Sequence, residues 1–391
     1  MATERAVAGL APEHGMLREA FGGLLRDAMP SSRLDEAAEE GWLRDVWVAV
    51  ASGGWLEIAA DSPGSDPDDS LSILDLTLLA EEAGARLLPG PFALTTAFVV
   101  PLLARAASPW LPTITSGDRL ITALVPPPIA LRPTLSFNWR AVAVASSGDA
   151  LGDGFYPNVP FAGDADAILV PSTFGDEVRV AVVPTNRAGV EITPLTSIDG
   201  TTPTANVALS SVPVVIDDWL PIPADALSEE LDRGMAAYVS ALNGEAVGAM
   251  SEMLARTVEY VTERWQFGVP IGSFQAVKHR LADAFLQLEL ARLLTRQAAR
   301  APFDESGAVD LACARVRSAD AYIAVCEAAI QLHGGLGVSW EQGLHFWYRR
   351  ALLGRTQPAP LSAFRAVIGD HLRSNRDAAV GSHRRNGTEE A

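Results

Sequence analysis

The sequence predicts an α+β multidomain protein: an N-terminal α-helical domain, a central small β-barrel or sandwich, and a C-terminal antiparallel four-helix bundle. Three observations predict it. Apolar residues recur at spacings of three and four over residues 4–107 and again over residues 225–376. Short β-branched runs with period two fill the stretch between. With 391 residues, 48% of them apolar, the chain can bury large cores and divide into two or three domains. The expected boundaries are 1–112, 113–222 and 223–376, followed by a polar tail at 377–391.

In the first region Met16-Leu17, Phe21 and Leu24-Leu25 mark one helix, and Ile73-Leu74, Leu76 and Leu78-Leu79 mark another. Between them the prolines, acids and small residues of Asp61–Asp69 spell a loop, after which Asp69 or Ser70 is the expected helix cap. The middle region contains strand-like runs at Arg140–Val144, Ala167–Val170 and Val178–Val183, separated by Gly, Asp and Pro. Pro126-Pro127-Pro128 reads as an extended turn or strand entry, since none of the three donates to a ladder. In the last region long amphipathic blocks break at Gly268–Gly272, at Ala301–Phe303 and at Gly334–Gly337. Short turns between long helices are the mark of an antiparallel bundle.

The formal charge of -18 argues against a nucleic-acid partner, because phosphate binding draws on clustered Lys and Arg. It leaves room for a phosphate-bearing cofactor held by backbone N–H groups and one or two arginines. Cys313 and Cys326 alone make neither a disulfide framework nor a metal set. No basic start precedes an apolar run at the N-terminus, and no uncharged apolar stretch reaches about 18 residues. A cytoplasmic protein without a membrane partner is expected. The tail after Arg376 is polar and unpatterned and reads as disordered, so Asn386-Gly387-Thr388 carries no meaning as a glycosylation site.

The run from Arg256 to Asp283 contains Glu263-Arg264-Trp265-Gln266-Phe267-Gly268-Val269-Pro270-Ile271-Gly272-Ser273-Phe274-Gln275, and Gln331-Leu332-His333-Gly334-Gly335-Leu336-Gly337-Val338 follows later. Together they resemble, in order and spacing, the signature of the acyl-CoA dehydrogenase family. Gly53-Gly54-Trp55-Leu56 and Leu79-Ala80-Glu81-Glu82-Ala83-Gly84 resemble its N-terminal helical segments more weakly, and Arg349 stands at the position of its common Arg-Asp pair. The chemistry of the residues agrees: a guanidinium can pair with pyrophosphate oxygens, an aromatic ring packs on a flavin or adenine face, and glycines let a cofactor approach the backbone. The resemblance implies FAD as cofactor, contacted across a subunit interface by Arg264, Phe267, Gln275, Gln331, Gly334 and Gly335. His279 and His333 read as packing residues.

The family reaction needs a carboxylate base facing the flavin across the acyl chain. The place where most members carry it corresponds to Gly354–Pro360, and no acid occurs there. The alternative place, on the first helix of the bundle, corresponds to Tyr238. Glu245, seven residues on and about 10 Å along the axis, is a fallback; Glu252 and Glu341 are weaker candidates beside a plain surface role. No residue of this chain is therefore expected to act as the catalytic base, and no metal site is expected. Family segments that touch the flavin from the same subunit have no counterpart around Pro126–Pro128 and Arg140–Val142.

A chain that keeps the half-site it lends and lacks the half-site it owns resembles the degenerate subunit of heterotetrameric acyl-CoA dehydrogenases acting on bulky or steroid-derived acyl-CoA thioesters. The resemblance implies an acyl-CoA substrate, a homologous partner subunit that supplies the catalytic Glu (or self-association), and an electron-transfer flavoprotein as acceptor. Two other readings remain open: a flavin-dependent monooxygenase or oxidase of the same fold, and a non-catalytic assembly subunit.

Overall fold

The computed structural model describes residues 10–60, 72–125, 142–143, 150–174 and 177–386. The loop expected at Asp61–Asp69, with its capping residues Asp69 and Ser70, lies outside these residues, as do Pro126–Pro128, Arg140-Ala141 and the last five residues of the tail.

The N-terminal region is helical: α1 (Pro12–Ala28), α2 (Leu34–Glu40), α3 (Arg44–Ser52), α4 (Ile73–Ala85), α5 (Phe92–Leu94), a π-turn (Thr95–Val99) that continues into α6 (Val100–Arg105), and α7 (Leu111–Thr115). The described cap of α4 is Ser72. Its Oγ accepts from the Asp75 amide at 3.2 Å while the Ser72 amide donates to the Asp75 carboxylate at 3.0 Å, so two orphan donors of the first turn are satisfied reciprocally.

The central region is a sandwich. Strand β5 (Ala167–Phe174) pairs in parallel with β1 (Ile121–Ala123) and β2 (Val142–Ala143) and antiparallel with β6 (Glu177–Pro184). A second sheet carries β4 (Gly154–Pro160), β8 (Thr204–Leu209) and β7 (Val190–Leu195), and β3 (Ala150–Leu151) pairs with β9 (Val212–Pro213). Side chains alternate across a strand, and β5 uses both faces. Ile168 and Val170 meet Val207 and Leu209 of the second sheet, whereas Ala167 and Leu169 join Phe98, Leu102, Leu231 and Met235 in a core shared with the helices.

The bundle consists of α8 (Ala224–Glu263), α9 (Gln275–Arg300), α10 (Glu305–His333) and α12 (Leu361–Asn386), with α11 (Leu344–Gly354) packed at one end. Between α8 and α9 lies a two-stranded hairpin, β10 (Trp265–Gln266) and β11 (Val269–Pro270). Helix α10 with its following turn is long and apolar enough to span a bilayer by composition, and in the fold it packs against α8, α9, α11 and α12. Of the two thiols on it, Cys313 is half-buried and Cys326 buried. The tail departs from expectation: α12 runs on as a helix to Asn386, ten residues past Arg376. Among the described residues, no separate core belongs to the bundle alone. One core joins α8, α10 and α12 to α6 and β5; another joins α8, α9, α10 and α11 to Phe21, Trp47 and Leu79 of α1, α3 and α4.

Candidate functional site

Two places hold chemistry-bearing residues, and α8 runs through both. Near its middle, α8 crosses α4 with backbone against backbone. A Cβ on Gly248 would collide with the Glu81 carbonyl oxygen, and one on Gly84 with that of Glu245. This close approach, which only glycine permits, sets one wall of a cleft of about 750 Å³ including its open mouth. Ala93 and Leu94 before α6, Phe161 after β4, Leu242, Ala246 and Ala249 of α8, and Ala319 of α10 supply apolar walls.

Among these walls stands a polar group that sequence reasoning found only in part. Arg315 of α10 is 2% exposed, and its Nη1 donates to Asn243 Oδ1 at 3.4 Å. Its Nη2 donates to the carbonyls of Gly354 and, at 2.6 Å, Gln357, so the guanidinium fastens the segment after α11 to the bundle. Ser318 Oγ donates to the same Asn243 oxygen at 2.9 Å. Arg350 of α11 pairs with the fully buried Asp199 and donates to Thr201 Oγ1 at 2.6 Å. Glu245, half-buried on the cleft wall, has its carboxyl pushed up to about 7; burial is the main cause, opposed by Arg350 and Arg315 and reinforced by Asp199. Burial likewise lowers the Arg315 guanidinium to about 10 against the pull of Tyr238 and Glu245. Burial raises the Tyr238 and Tyr322 hydroxyls.

Tyr238, and Gly354 and Gln357 of the Gly354–Pro360 segment where the resemblance would place a base, line this cleft, whereas Pro358 is not part of its lining. The carboxyl present in it is that of Glu245. Glu252 instead pairs with Arg256 at 2.8 Å and with Arg86, and Glu341 is exposed beside Arg256 and Trp340. Arg349 lies over the Trp340 ring, 5.4 Å from its centroid, while its neighbour Arg350 makes the acid pair; successive helical residues point about 100° apart, so adjacent arginines meet different surroundings.

The second place is the far end of α8. Arg264 ends the helix in extended conformation, its amide donating to Tyr260 O at 2.9 Å and its carbonyl accepting from Ile271 N at 2.8 Å. Among the described residues its exposed guanidinium has no ion-pair partner. Phe267 and Gly268 form the hairpin turn with φ of 53° and 82°. Left-handed backbone at a phenylalanine is strained, and the side chain it presents is 92% exposed. Gln275 is the first residue of α9 and exposed. Gln331, Gly334 and Gly335 close α10, all exposed. The stacked rings of Tyr260 and His333, 4.2 Å apart, join the two segments, and the Tyr260 hydroxyl donates to His333 O at 3.4 Å. His333 is buried, with Nδ1 2.8 Å from Ala329 O; His279 is exposed.

The glycines here differ in kind. Gly337 has no room for a Cβ beneath Ile330 O. Among the described residues a Cβ on Gly335 would meet nothing within 4 Å, so their packing gives no reason for a glycine there. A free guanidinium, an exposed ring, two amide side chains and approachable backbone form a donor set that fits a flavin dinucleotide reaching this corner from outside. No group of three His, Cys, Asp or Glu suited to a metal occurs among the described residues.

Comparison with known proteins gives the same direction. The family described as acyl-CoA dehydrogenase, C-terminal domain, matches residues 239–357. The acyl-CoA dehydrogenase FadE34 of Mycobacterium tuberculosis is 31% identical over 320 residues, 81% of this chain, and the chain spans only 40% of that relative's length. The acyl-CoA dehydrogenase IpdE2 of the same organism is 28% identical over 87% of this chain and 91% of its own. Among solved structures, the ChsE4-ChsE5 complex of M. tuberculosis has a chain that superposes with a TM-score of 0.76 at 23% identity, covering 95% of this chain and 98% of that one; this likeness carries the fold.

Proposed function

The chain belongs to the acyl-CoA dehydrogenase family, and from that premise we propose that it is a subunit of an FAD-dependent acyl-CoA dehydrogenase, lending its α8–α10 corner to a flavin seated in a homologous partner. The observation that carries the proposal is the separation of the two places on α8. Arg264 lies nineteen residues beyond Glu245, roughly 28 Å along the axis, and faces outward. A cofactor gripped at that corner serves a neighbouring chain's cleft.

FAD, when bound, supplies an acceptor for the hydrogen and electron pair leaving the acyl β-carbon. The work of this chain at that corner is to hold: Arg264 for phosphate oxygens, Phe267 as a packing face, Gln275 and Gln331 as amide partners, and the Gly334-Gly335 backbone for close approach. Trp265, Phe274 and the α9 residues Phe285, Leu286, Leu290 and Leu293, each 38–61% exposed, form an apolar face suited to burial against that partner. The ChsE4-ChsE5 complex offers a precedent for unlike chains of this fold associating. The acyl group is proposed to be bulky, of the steroid-derived kind, and the electron acceptor to be an electron-transfer flavoprotein.

For the proton, the proposed source of the base is the partner, since Gly354–Pro360 offers Gln357 and no carboxylate. A second reading is favoured by one observation: Glu245, with a carboxyl near 7, is the kind of group that accepts a proton at neutral pH. Co-expression with a candidate partner decides between them. If the partner supplies the base, Glu245→Gln in the complex keeps dehydrogenation within about threefold of the parent, whereas replacing the partner's carboxylate abolishes it; the reverse pattern assigns the base to this chain. A chain that alone carries a full complement of flavin and dehydrogenates acyl-CoA would refute the subunit proposal.

A further inference from the structure

We infer that the outward face of α9 receives an unlike chain that presents carboxylates beside an apolar surface, and that the charges on this face turn away a second copy of this chain. The inference rests on the reading of a homologous partner and deepens it to that partner's chemistry.

At about 100° per residue, Gln275, His279, Ala282, Leu286, Leu290 and Leu293 fall within about 40° of one line along α9, and all six are exposed. The opposite side, with Ala284, Leu288, Ala291, Thr295 and Ala298, is buried. The outward stripe therefore runs from Gln275, at the Arg264 corner, into leucines that are 41–61% exposed, with Phe285 at 50% along one edge. A continuous row of exposed leucines marks a surface that another protein covers.

Charge distinguishes between possible partners. Acids outnumber Lys and Arg by 48 to 30 in the whole chain, yet α9 carries Lys278, Arg280, Arg292, Arg296 and Arg300 against Asp283 and Glu289. Two of these bases are used inside the chain: Arg296 meets Glu81, and Arg292 holds Glu289. Lys278 and Arg280 are exposed on the two flanks of the stripe and, among the described residues, have no ion-pair partner. Of the acids on the helix, only Asp283 is left near them. The helix itself does not account for their place either. Its first turn holds no acid and its N-cap makes no side-chain hydrogen bond, while a cation near a helix N-terminus opposes the backbone dipole. Carboxylates across an interface would meet these bases. A second copy fits poorly. A two-fold axis through the middle of the leucines, between residues 289 and 290, would set Arg300 against His279, with Lys278 and Arg280 to either side. Both ends of that pairing would be basic on basic, which discriminates against self-association.

Lys278 is the only lysine in the sequence, which makes the contact traceable. In the co-expressed complex at low salt, a carbodiimide that joins an amine directly to a carboxylate is expected to link Lys278 Nζ to an Asp or Glu of the partner, identified by mass spectrometry of the digest. Lys278→Glu combined with Arg280→Glu is expected to weaken assembly, read by sedimentation, at least about tenfold in roughly 50 mM salt, and to lose most of that deficit in about 1 M salt, where the charges are screened. Leu290→Ser is expected to weaken assembly at both salt concentrations. All three substitutions fall on exposed residues, so the melting temperature of the isolated chain should hold. Absence of a Lys278 cross-link to the partner, a cross-link to a second copy, self-association of the isolated chain at low salt, or a charge-reversed variant that assembles as the parent does overturns the inference. Flavin content read in parallel separates the two claims. A charge-reversed chain that assembles normally but loses flavin sinks this inference and keeps the cofactor reading. Loss of assembly in that variant, with flavin indifferent to Arg264→Ala, keeps the inference and sinks the cofactor reading.

Discussion

At the scale of single residues, Glu245 is the group whose behaviour is most readily measured. Its carboxyl is raised from 4.5 to about 7 by burial. The folded chain therefore binds more protons than the unfolded chain between those values, and this residue's contribution to stability falls as pH rises through the window and is at its least favourable above about 7. Glu245→Gln removes that dependence. Relative to the parent, the variant is expected to gain stability between acidic pH and pH above 7, by roughly 3 kcal/mol at most, checked by denaturant unfolding at several pH values; a difference flat with pH would contradict the burial of the carboxyl. Phe267 gives a second residue-scale prediction. Phe267→Gly relieves a left-handed backbone, so chain stability should hold or rise by about 1 kcal/mol, while flavin retention by the complex falls. These residues differ in how readable they were. Arg264, Phe267 and Gln275 sit in one contiguous run, and Gln331, Gly334 and Gly335 in another, so their pattern is local. Arg315, Tyr322 and Arg350 carry no local mark: an isolated charge or hydroxyl on an amphipathic helix looks like a solvated one until Asp199, from a loop about 150 residues away, is brought against it.

At the scale of elements, the crossing of α4 over α8 decides the shape of the cleft. Gly248→Ala places a methyl against the Glu81 carbonyl and must push the helices apart, at a cost of about 1–3 kcal/mol. Because Gly84 and Glu245 are part of the same contact, acyl-CoA binding should weaken along with the melting temperature. The crossing is also fixed by charge. Glu81 of α4, 2% exposed, lies 3.3 Å from Arg296 of α9 and from Arg18 of α1. Glu81→Ala leaves the buried Arg296 without its acid and should cost about 3–5 kcal/mol in thermal or denaturant unfolding. The helices and the strands at Ala167–Phe174 and Glu177–Pro184 were legible because their periodicities are strong. Cap and end positions were less so: Ser72 rather than an earlier residue is the described cap of α4, and α12 outruns the polar composition of its last turns.

At the scale of the whole molecule, the order helical, β, helical follows from the sequence texture, but the sharing of cores does not. Period-three and period-two patterns say which face of an element is apolar, not which partner covers it, and β5 lends one face to each of two cores. The same limit applies outside the chain, where the exposed face of α9 and the corner at Arg264 remain uncovered. The central claim is that this corner grips a flavin belonging to a partner. Its most direct test is the flavin content, read by visible absorbance, of the chain purified alone, with its co-expressed partner, and with that partner after Arg264→Ala. The account predicts little flavin alone, one flavin per pair of unlike chains in the complex, and loss of most of it in the variant with the complex still assembled. Full flavin in the isolated chain, or a complex whose flavin is indifferent to Arg264→Ala, would contradict it.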